Sequence, residues 1–473
     1  MAVTRGLLED VAAWADGWLA QRQRMLGIPG VQFAIAHEGS IIASGAHGQA
    51  DLASGEPLTR EHLFCIASHS KTFTATAIVQ LAGQREPAVH LDDCLSRHLG
   101  WLADDPAVAG LAGRTVGELL CHGGGVIRDG SDGDYWQLRR RFPDASELRA
   151  LLSRSPSPFG ANERFHYSNI GYGLLGLVIE AVTGHDYARH LREAIITPLG
   201  LANTFPDFVA DQAARYAAGH THSGNGRSRI PIDPVPTNAL APATGFTSTA
   251  DDLVSFFGAL CFGDERLLGD AAKRRMQHPW WTQRENEHYG LGLQILDIGG
   301  RRLIGHSGGY PGHSTKTLCD PKDAVVVSVL GNAIDTPAAE LCTGIFRLID
   351  LVARRDEAVP AHAPGFDPSE FSGRFANLWG MYDLAVFGDR LLYVPLTSND
   401  PAEVSGELTI EDGATANLVR ARDGYESEGE RFVFERDATG AITRVRGTSA
   451  TSAYPEEAYE RQFLSAARVQ LPS

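Results

Sequence analysis

Cysteine is scarce. Cys65, Cys94, Cys121, Cys261, Cys319 and Cys342 are scattered over 473 residues with no CxxC pair. This excludes a dense disulfide framework and fits free, mostly buried thiols in a reducing compartment. Basic residues are short as well. Lys and Arg number 42 against 58 Asp and Glu, for a formal net charge of −16. That argues against nucleic acid or an anionic membrane surface as the main partner. Long apolar runs are missing too. The longest, "IGYGLLGLVIEAVTG" from Ile170 to Gly184, carries Glu180 and is too short to span a bilayer. In "MAVTRGLLEDVAAWADGWLAQRQRM" acids interrupt before an apolar core builds, so this stretch reads as an amphipathic surface helix, not an export signal. Internal repeats and low-complexity tracts are absent. The expectation is a cytoplasmic protein with no membrane and no nucleic acid among its partners.

What is there is organised. "GVQFAIAHEGSIIASGAHGQA" places two β-rich runs around His37-Glu38-Gly39-Ser40, a hairpin signal. Residues 100–290 read as largely helical with Gly/Pro-rich loops, and "GHDYARHLREAIITPLGL" reads as an amphipathic helix stopped by Pro198 and Gly200. Strands return from Tyr289. "YGLGLQILDIGGRRLIGHSGG" is strand, Gly-Gly turn, strand, and "TKTLCDPKDAVVVSVLGN" repeats the form around Asp320-Pro321-Lys322-Asp323. "PAAELCTGIFRLIDLVAR" then closes as a helix. The two sets of strands are expected to pair into one antiparallel sheet flanked by helices, with an all-helical subdomain between them, an α+β class. Domain 1–353 is followed by a charged, Pro/Ala-rich linker at 354–368. Residues 369–473 carry short alternating strands that predict a small antiparallel β-barrel or sandwich.

Three stretches carry chemistry. In "CIASHSKTFTATAIVQLAG", Ser68 and Lys71 lie close to one helical turn apart and so share a face. A serine at a helix N-terminus sits beside unpaired N–H groups, and a lysine held against apolar packing loses its charge more readily. A neutral amine can take the proton of a serine hydroxyl. Alone, the pair reads equally as an N-cap and an exposed lysine. In "FHYSNIGYGLLGLVIE", Tyr167 can shuttle a proton and Asn169 can hold a carbonyl, while Ser168 or Asn169 could simply cap a helix. In "LIGHSGGYPGHSTKT", His306-Ser307-Gly308-Gly309 ends a strand, where glycines allow close backbone approach to a ligand. His220 and His222 in "GHTHSGNG" lack a carboxylate or cysteine partner and read as solvated, so no metal is called for. Trp136 reads as a face over the pocket, and Trp280-Trp281 as packing.

The order S-x-x-K, Y-x-N, then H-x-G resembles the penicillin-recognising serine hydrolases: class C β-lactamases, D,D-peptidases, D-aminopeptidases and β-lactamase-like esterases. The resemblance covers roughly residues 10–350 and extends to "TVGELLCHGGGV", "ATGFTSTADDLVSFFGAL" and "YGLGLQI". It implies Ser68 as acylated nucleophile, Lys71 as its base or relay, and Tyr167 as general base and relay to the leaving group. It implies Asn169 on the substrate's acyl-side amide, His306 at the third motif beside Ser307 and Gly308, and an oxyanion hole from the N–H groups of Ser68 and Gly309. No metal or organic cofactor is required. The C-terminal region is similar to the lipocalin-like domain of some members.

Two departures bear on specificity. Classical members have Lys-Thr-Gly where this chain has His-Ser-Gly, and histidine is mostly neutral near pH 7. "CHGGGV" replaces a His-Thr-Ser-Gly stretch. The expected activity is acyl-enzyme hydrolysis of small peptides, amides or esters with a preference for D-residues. Two alternatives stand beside it: a peptide cyclase or acyl transferase in which an amine resolves the acyl-enzyme, and a sensor that is acylated without turnover. A homo-oligomeric state is left open.

Overall fold

The computed structural model describes residues 3–155, 157–226, 228–354, 359–421, 427–447 and 450–464. It divides into two compact units: Leu26–Cys342, and the described residues of Met1–Met25 with Thr343–Ser473.

The larger unit is built on a nine-stranded antiparallel sheet. Gly30–His37 pairs with Ser40–Asp51 on one side and with Val325–Gly331 on the other, so strands from the two ends of this unit meet at its centre. His313–Asp320, Arg301–Tyr310, Gln294–Ile298, Glu287–Tyr289 and Trp281–Arg284 then follow in order. Gly30–His37 and Val325–Gly331 are buried at every position. Their near-continuous apolar sequences are what central, doubly covered strands require. The predicted turns at Glu38-Gly39, Gly299-Gly300 and after Asp320 all form. Glu38 and Gly39 have φ of 49° and 77°, and Gly299 and Gly300 have 60° and 86°. Two consecutive positive φ values are the turn that matches the twist of a hairpin.

The helix Ala250–Gly258 packs on the sheet, and the helix Ser70–Ala82, among other helices, is buried along nearly its whole length. Phe73 stacks between Phe246 and Phe256 with ring centroids at 4.3 and 3.7 Å. Its buried threonines stay satisfied. Thr72 donates to the Gly292 carbonyl at 2.7 Å and Thr76 to the Thr72 carbonyl at 2.8 Å. A second helix, Asn169–Thr183, is capped by Ser168, whose Oγ accepts from the Gly171 N–H at 2.8 Å, and ends on Gly184 with φ 69°. One helix ends differently from expectation. Pro198 lies inside the final turn at Thr197–Leu199 and does not stop it; Gly200, with φ 66°, does. The proline comes just after a π-helical stretch, Arg192–Ile196, an irregularity of the kind found where a helix ladder loses a hydrogen bond.

In the other unit, eight antiparallel strands from Gly373–Asn377 to Ser452–Pro455 close into a barrel, so the alternative of a sandwich drops out. Its interior is filled by side chains such as Phe375, Leu384, Leu391, Leu408 and Phe432. Arg390 and Glu407 form a buried two-pronged ion pair at 2.7 Å. The helix Arg5–Met25 belongs to this unit, and its Trp14 donates to Asp383 at 2.9 Å. Of the sequence-predicted linker, residues 355–358 lie outside the described residues. All six cysteines are free, and all but Cys94 are buried. Among the described residues, no helix is long and apolar enough to cross a membrane.

Candidate active site

Ser68 sits in the single turn Ala67–His69 that leads into the helix Ser70–Ala82. The residue before it, Ala67, has φ 46°, a conformation a non-glycine residue adopts only when its surroundings impose it. The surroundings are visible. Ser70 Oγ donates to the Ala67 carbonyl at 2.5 Å and accepts from the Phe246 N–H at 3.0 Å. His69 is buried and uses Nδ1–H on the Ile66 carbonyl at 2.9 Å and Nε2 toward Thr317 Oγ1 at 3.1 Å.

Lys71 is fully buried. Its Nζ lies 3.2 Å from Ser68 Oγ, 2.8 Å from Asn169 Oδ1 and 2.8 Å from the Ala243 carbonyl. Burial pushes the amine well below the ordinary lysine range; the charge of Asp129 pulls it partly back, and Arg128 pushes it down again. Tyr167 donates to Ser68 Oγ at 2.9 Å, and burial raises its phenol, so it keeps its proton. Thus Lys71 and Tyr167 reach the Ser68 hydroxyl directly and Asn169 reaches it through Lys71, four residues spread over about a hundred positions. Ser168 does what a cap does; its neighbours Tyr167 and Asn169 flank it and face the site.

Asn169 is oriented by a group the sequence did not single out. Its Nδ2 donates to Asp129 Oδ1 at 2.7 Å, which turns Oδ1 toward Lys71. Asp129 also accepts from Trp136 Nε1 at 2.9 Å and from Arg128 Nε at 3.1 Å. Trp136 therefore serves the site through Asp129. The Arg128 guanidinium stands 5.5 Å from the centre of the Tyr167 ring. A lone Asp in a Gly/Asp-rich loop offers no periodicity, and only the fold shows what it touches.

The third motif lies on the strand Arg301–Tyr310. A Cβ on Gly308 would come within 2.2 Å of the Ile66 carbonyl oxygen, so glycine is what lets this strand abut the Ser68 turn. His306 is buried; its Nε2 is 3.1 Å from Tyr289 OH and its Nδ1 2.7 Å from the Ser307 carbonyl. Burial, then Lys71 and His69, hold it well below the usual histidine range. Ser307 Oγ accepts from Gln294 at 3.1 Å, and Gln294 in turn accepts from buried Lys316 at 2.8 Å. Burial lowers Lys316 to about 8. Gly309 is exposed on the same strand. His122, from "CHGGGV", is no bystander: it has φ 63° and packs on the Tyr167 ring at 4.3 Å. His220 is satisfied by the Asn332 carbonyl and the Leu52 N–H. Trp281 packs into the core, while Trp280 is exposed.

With this geometry in hand, the comparisons fall into line. The Beta-lactamase family profile matches residues 15–343. The D-aminopeptidase of Brucella anthropi is 27% identical over 437 residues, covering 89% of this chain and 73% of that protein. Among solved structures, the D-amino acid amidase of Ochrobactrum anthropi SV3 aligns with TM-score 0.57 and 27% identity over 68% of this chain and 92% of its own. The octameric penicillin-binding protein homologue of Pyrococcus abyssi aligns with TM-score 0.62 and 20% identity over 93% and 99%.

Proposed function

The chain belongs to the Beta-lactamase family, a serine hydrolase of that type, and on that footing we propose that Ser68 is acylated by small amides, peptides or esters bearing a free amino group on the acyl side, with D-residues preferred. The observation that carries the reading is the environment of Lys71. Once the amine is neutral, its two N–H bonds go to Asn169 Oδ1 and the Ala243 carbonyl, neither of which can donate. The lone pair then falls on Ser68 Oγ.

The proposed steps follow. The Ser68 hydroxyl attacks the carbonyl carbon and its proton passes to Lys71 Nζ. The oxyanion is received by the backbone N–H groups of Ser68 and Gly309. Such a donor is worth about 3–4 kcal/mol of barrier. As the C–N or C–O bond breaks, Tyr167 gives its proton to the leaving atom and is reprotonated from Lys71, whose Nζ lies 4.6 Å from the centre of its ring. Water then attacks the acyl-enzyme, yields its proton to the same pair, and releases Ser68. In this proposal the base is Lys71, and Tyr167 acts as the acid toward the leaving group, because burial favours a neutral amine and a protonated phenol.

Two features support the choice of substrate. Asp129 places a carboxylate one hydrogen bond from Lys71's partner Asn169, where a substrate ammonium gains and an acyl-side carboxylate loses. His306 is buried and uncharged, so the third motif presents no cation of its own for a carboxylate. The D-preference rests on the relatives named D-aminopeptidase and D-amino acid amidase. Six unpaired thiols support a reducing setting such as the cytoplasm.

The test is a panel of D- and L-aminoacyl amides, esters and dipeptides, each free or N-acetylated, read by mass spectrometry with Ser68→Ala as control. Turnover of the free-amine D-substrates, lost in the variant, is expected. A cyclic or aminolysed product would replace hydrolysis by acyl transfer. A stoichiometric burst without turnover would make the protein a sensor.

A further inference from the structure

We propose that His122 and Tyr289 are positioning residues that hold His306 as a neutral, Nδ1-protonated clamp on the Ser307 carbonyl, tying the second motif to the third through one line of hydrogen bonds. For its catalytic consequence, the inference rests on the reading of Ser68 as the acylated residue.

Proton directions along the line are dictated by its two ends. The Ser168 backbone N–H points at His122 Nδ1 at 3.2 Å, so that nitrogen must be unprotonated. A neutral His122 then carries its proton on Nε2, which lies 3.2 Å from Tyr289 OH and donates to it. Having accepted this bond, Tyr289 turns its own proton to His306 Nε2 at 3.1 Å. His306 is left with its proton on Nδ1, 2.7 Å from the Ser307 carbonyl, which can only accept. The two histidines therefore hold opposite tautomers, each fixed by its own backbone partner and joined through the same phenol.

His122 takes no second proton without opposing it to the Ser168 N–H, and His306 takes one only if Tyr289 turns its own proton away toward Tyr172, its other partner. Burial agrees, since it is the largest cause depressing both histidines. Both nitrogens of His306 are thereby occupied, and it acts through the backbone. Its bond to the Ser307 carbonyl fixes the peptide plane joining Ser307 to Gly308, directly before Gly309. Tyr289 and His122 reach the reaction only through this plane and through packing on Tyr167, at ring distances of 6.4 and 4.3 Å.

The experiment reads the imidazole nitrogens directly, by two-bond ¹H–¹⁵N correlation of protein labelled at histidine, near pH 7. The expected wild-type spectrum shows His306 protonated on Nδ1 and His122 on Nε2. His306 found protonated on Nε2, or on both nitrogens, overturns the proposal without any variant. Tyr289→Phe keeps the ring and removes the hydroxyl. We expect it to strip His306 Nε2 of its donor, shift that nitrogen's resonance and lower kcat by roughly tenfold or more, less than the loss of an oxyanion donor, with KM nearly unchanged. Unaltered shifts together with unaltered kcat would also overturn it. The spectrum does not depend on turnover, so an active Ser68→Ala would sink the catalytic reading while leaving the tautomers to be judged on their own.

Discussion

Replacing Lys71 by methionine should abolish turnover and yet leave the fold at least about as stable near neutral pH. The unfolded lysine titrates near its ordinary 10.5, while burial depresses it in the fold. If the folded amine is neutral at pH 7, losing its proton there costs roughly 1.4 kcal/mol for each pH unit below 10.5, about 5 kcal/mol in all. Methionine removes that cost at similar volume. It also strands the Asn169 Oδ1 and Ala243 acceptors, at about 1–3 kcal/mol each. The two penalties together come to about 2–6 kcal/mol against a gain of about 5, so the variant lies between about 1 kcal/mol less and about 3 kcal/mol more stable at pH 7. The sign with pH is definite. Between the folded and unfolded pKa values the unfolded chain binds the extra proton, so wild-type stability gains on the variant as pH rises, by about 1.4 kcal/mol per unit. Urea unfolding of both proteins at pH 7, 8 and 9 measures this. A difference that does not move with pH, or a variant destabilised by several kcal/mol at pH 7, would show a lysine that stays charged in the fold and would refute the base assignment.

The pH profile of kcat/KM should hold through neutrality and fall on acidification with a limb far below the ordinary lysine range, because Lys71 must be unprotonated to act; a limb near 10 would contradict this. Tyr167→Phe should slow amide hydrolysis by roughly 10²–10⁴-fold and p-nitrophenyl ester hydrolysis far less, since that leaving group departs without a proton; parallel kcat losses would remove the acid role. Asp129→Asn should raise KM for free-amine substrates more than for N-acetylated ones, as steady-state kinetics on matched pairs would show. Gly308→Ala forces a Cβ against the Ile66 carbonyl and Thr315, and should cost about 1–3 kcal/mol together with most activity, read by thermal melting and ester turnover. In the barrel, Glu407→Gln leaves Arg390 buried beside a neutral partner, and a loss of about 3–5 kcal/mol is expected in thermal unfolding.

Much of the fold was legible because its signals are local. Alternation and turn chemistry marked the hairpins at Glu38-Gly39 and Gly299-Gly300, and the strand runs at the two ends of the hydrolase unit could bury their apolar faces only by pairing. Pro198 misled, since its effect depends on where in a turn it falls. The Ser68/Lys71 spacing, the cap at Ser168 and the glycines after His306 follow equally from short-range rules, so each could be named from the chain alone.

What those rules do not reach is the partner of each group. Composition and pattern determined an acidic α+β protein with a β-rich C-terminal region, and a set of residue types capable of acyl transfer. The tertiary structure decided the rest. It closed the barrel, packed Lys71 away from water with two acceptors that leave one direction for its lone pair, and set Asp129 behind Asn169. It also ran a line of hydrogen bonds from Ser168 through His122, Tyr289 and His306 to Ser307. Desolvation and proton direction belong to an enclosed volume, and the residues that enclose this one are as far apart in the chain as Asp129 and His306.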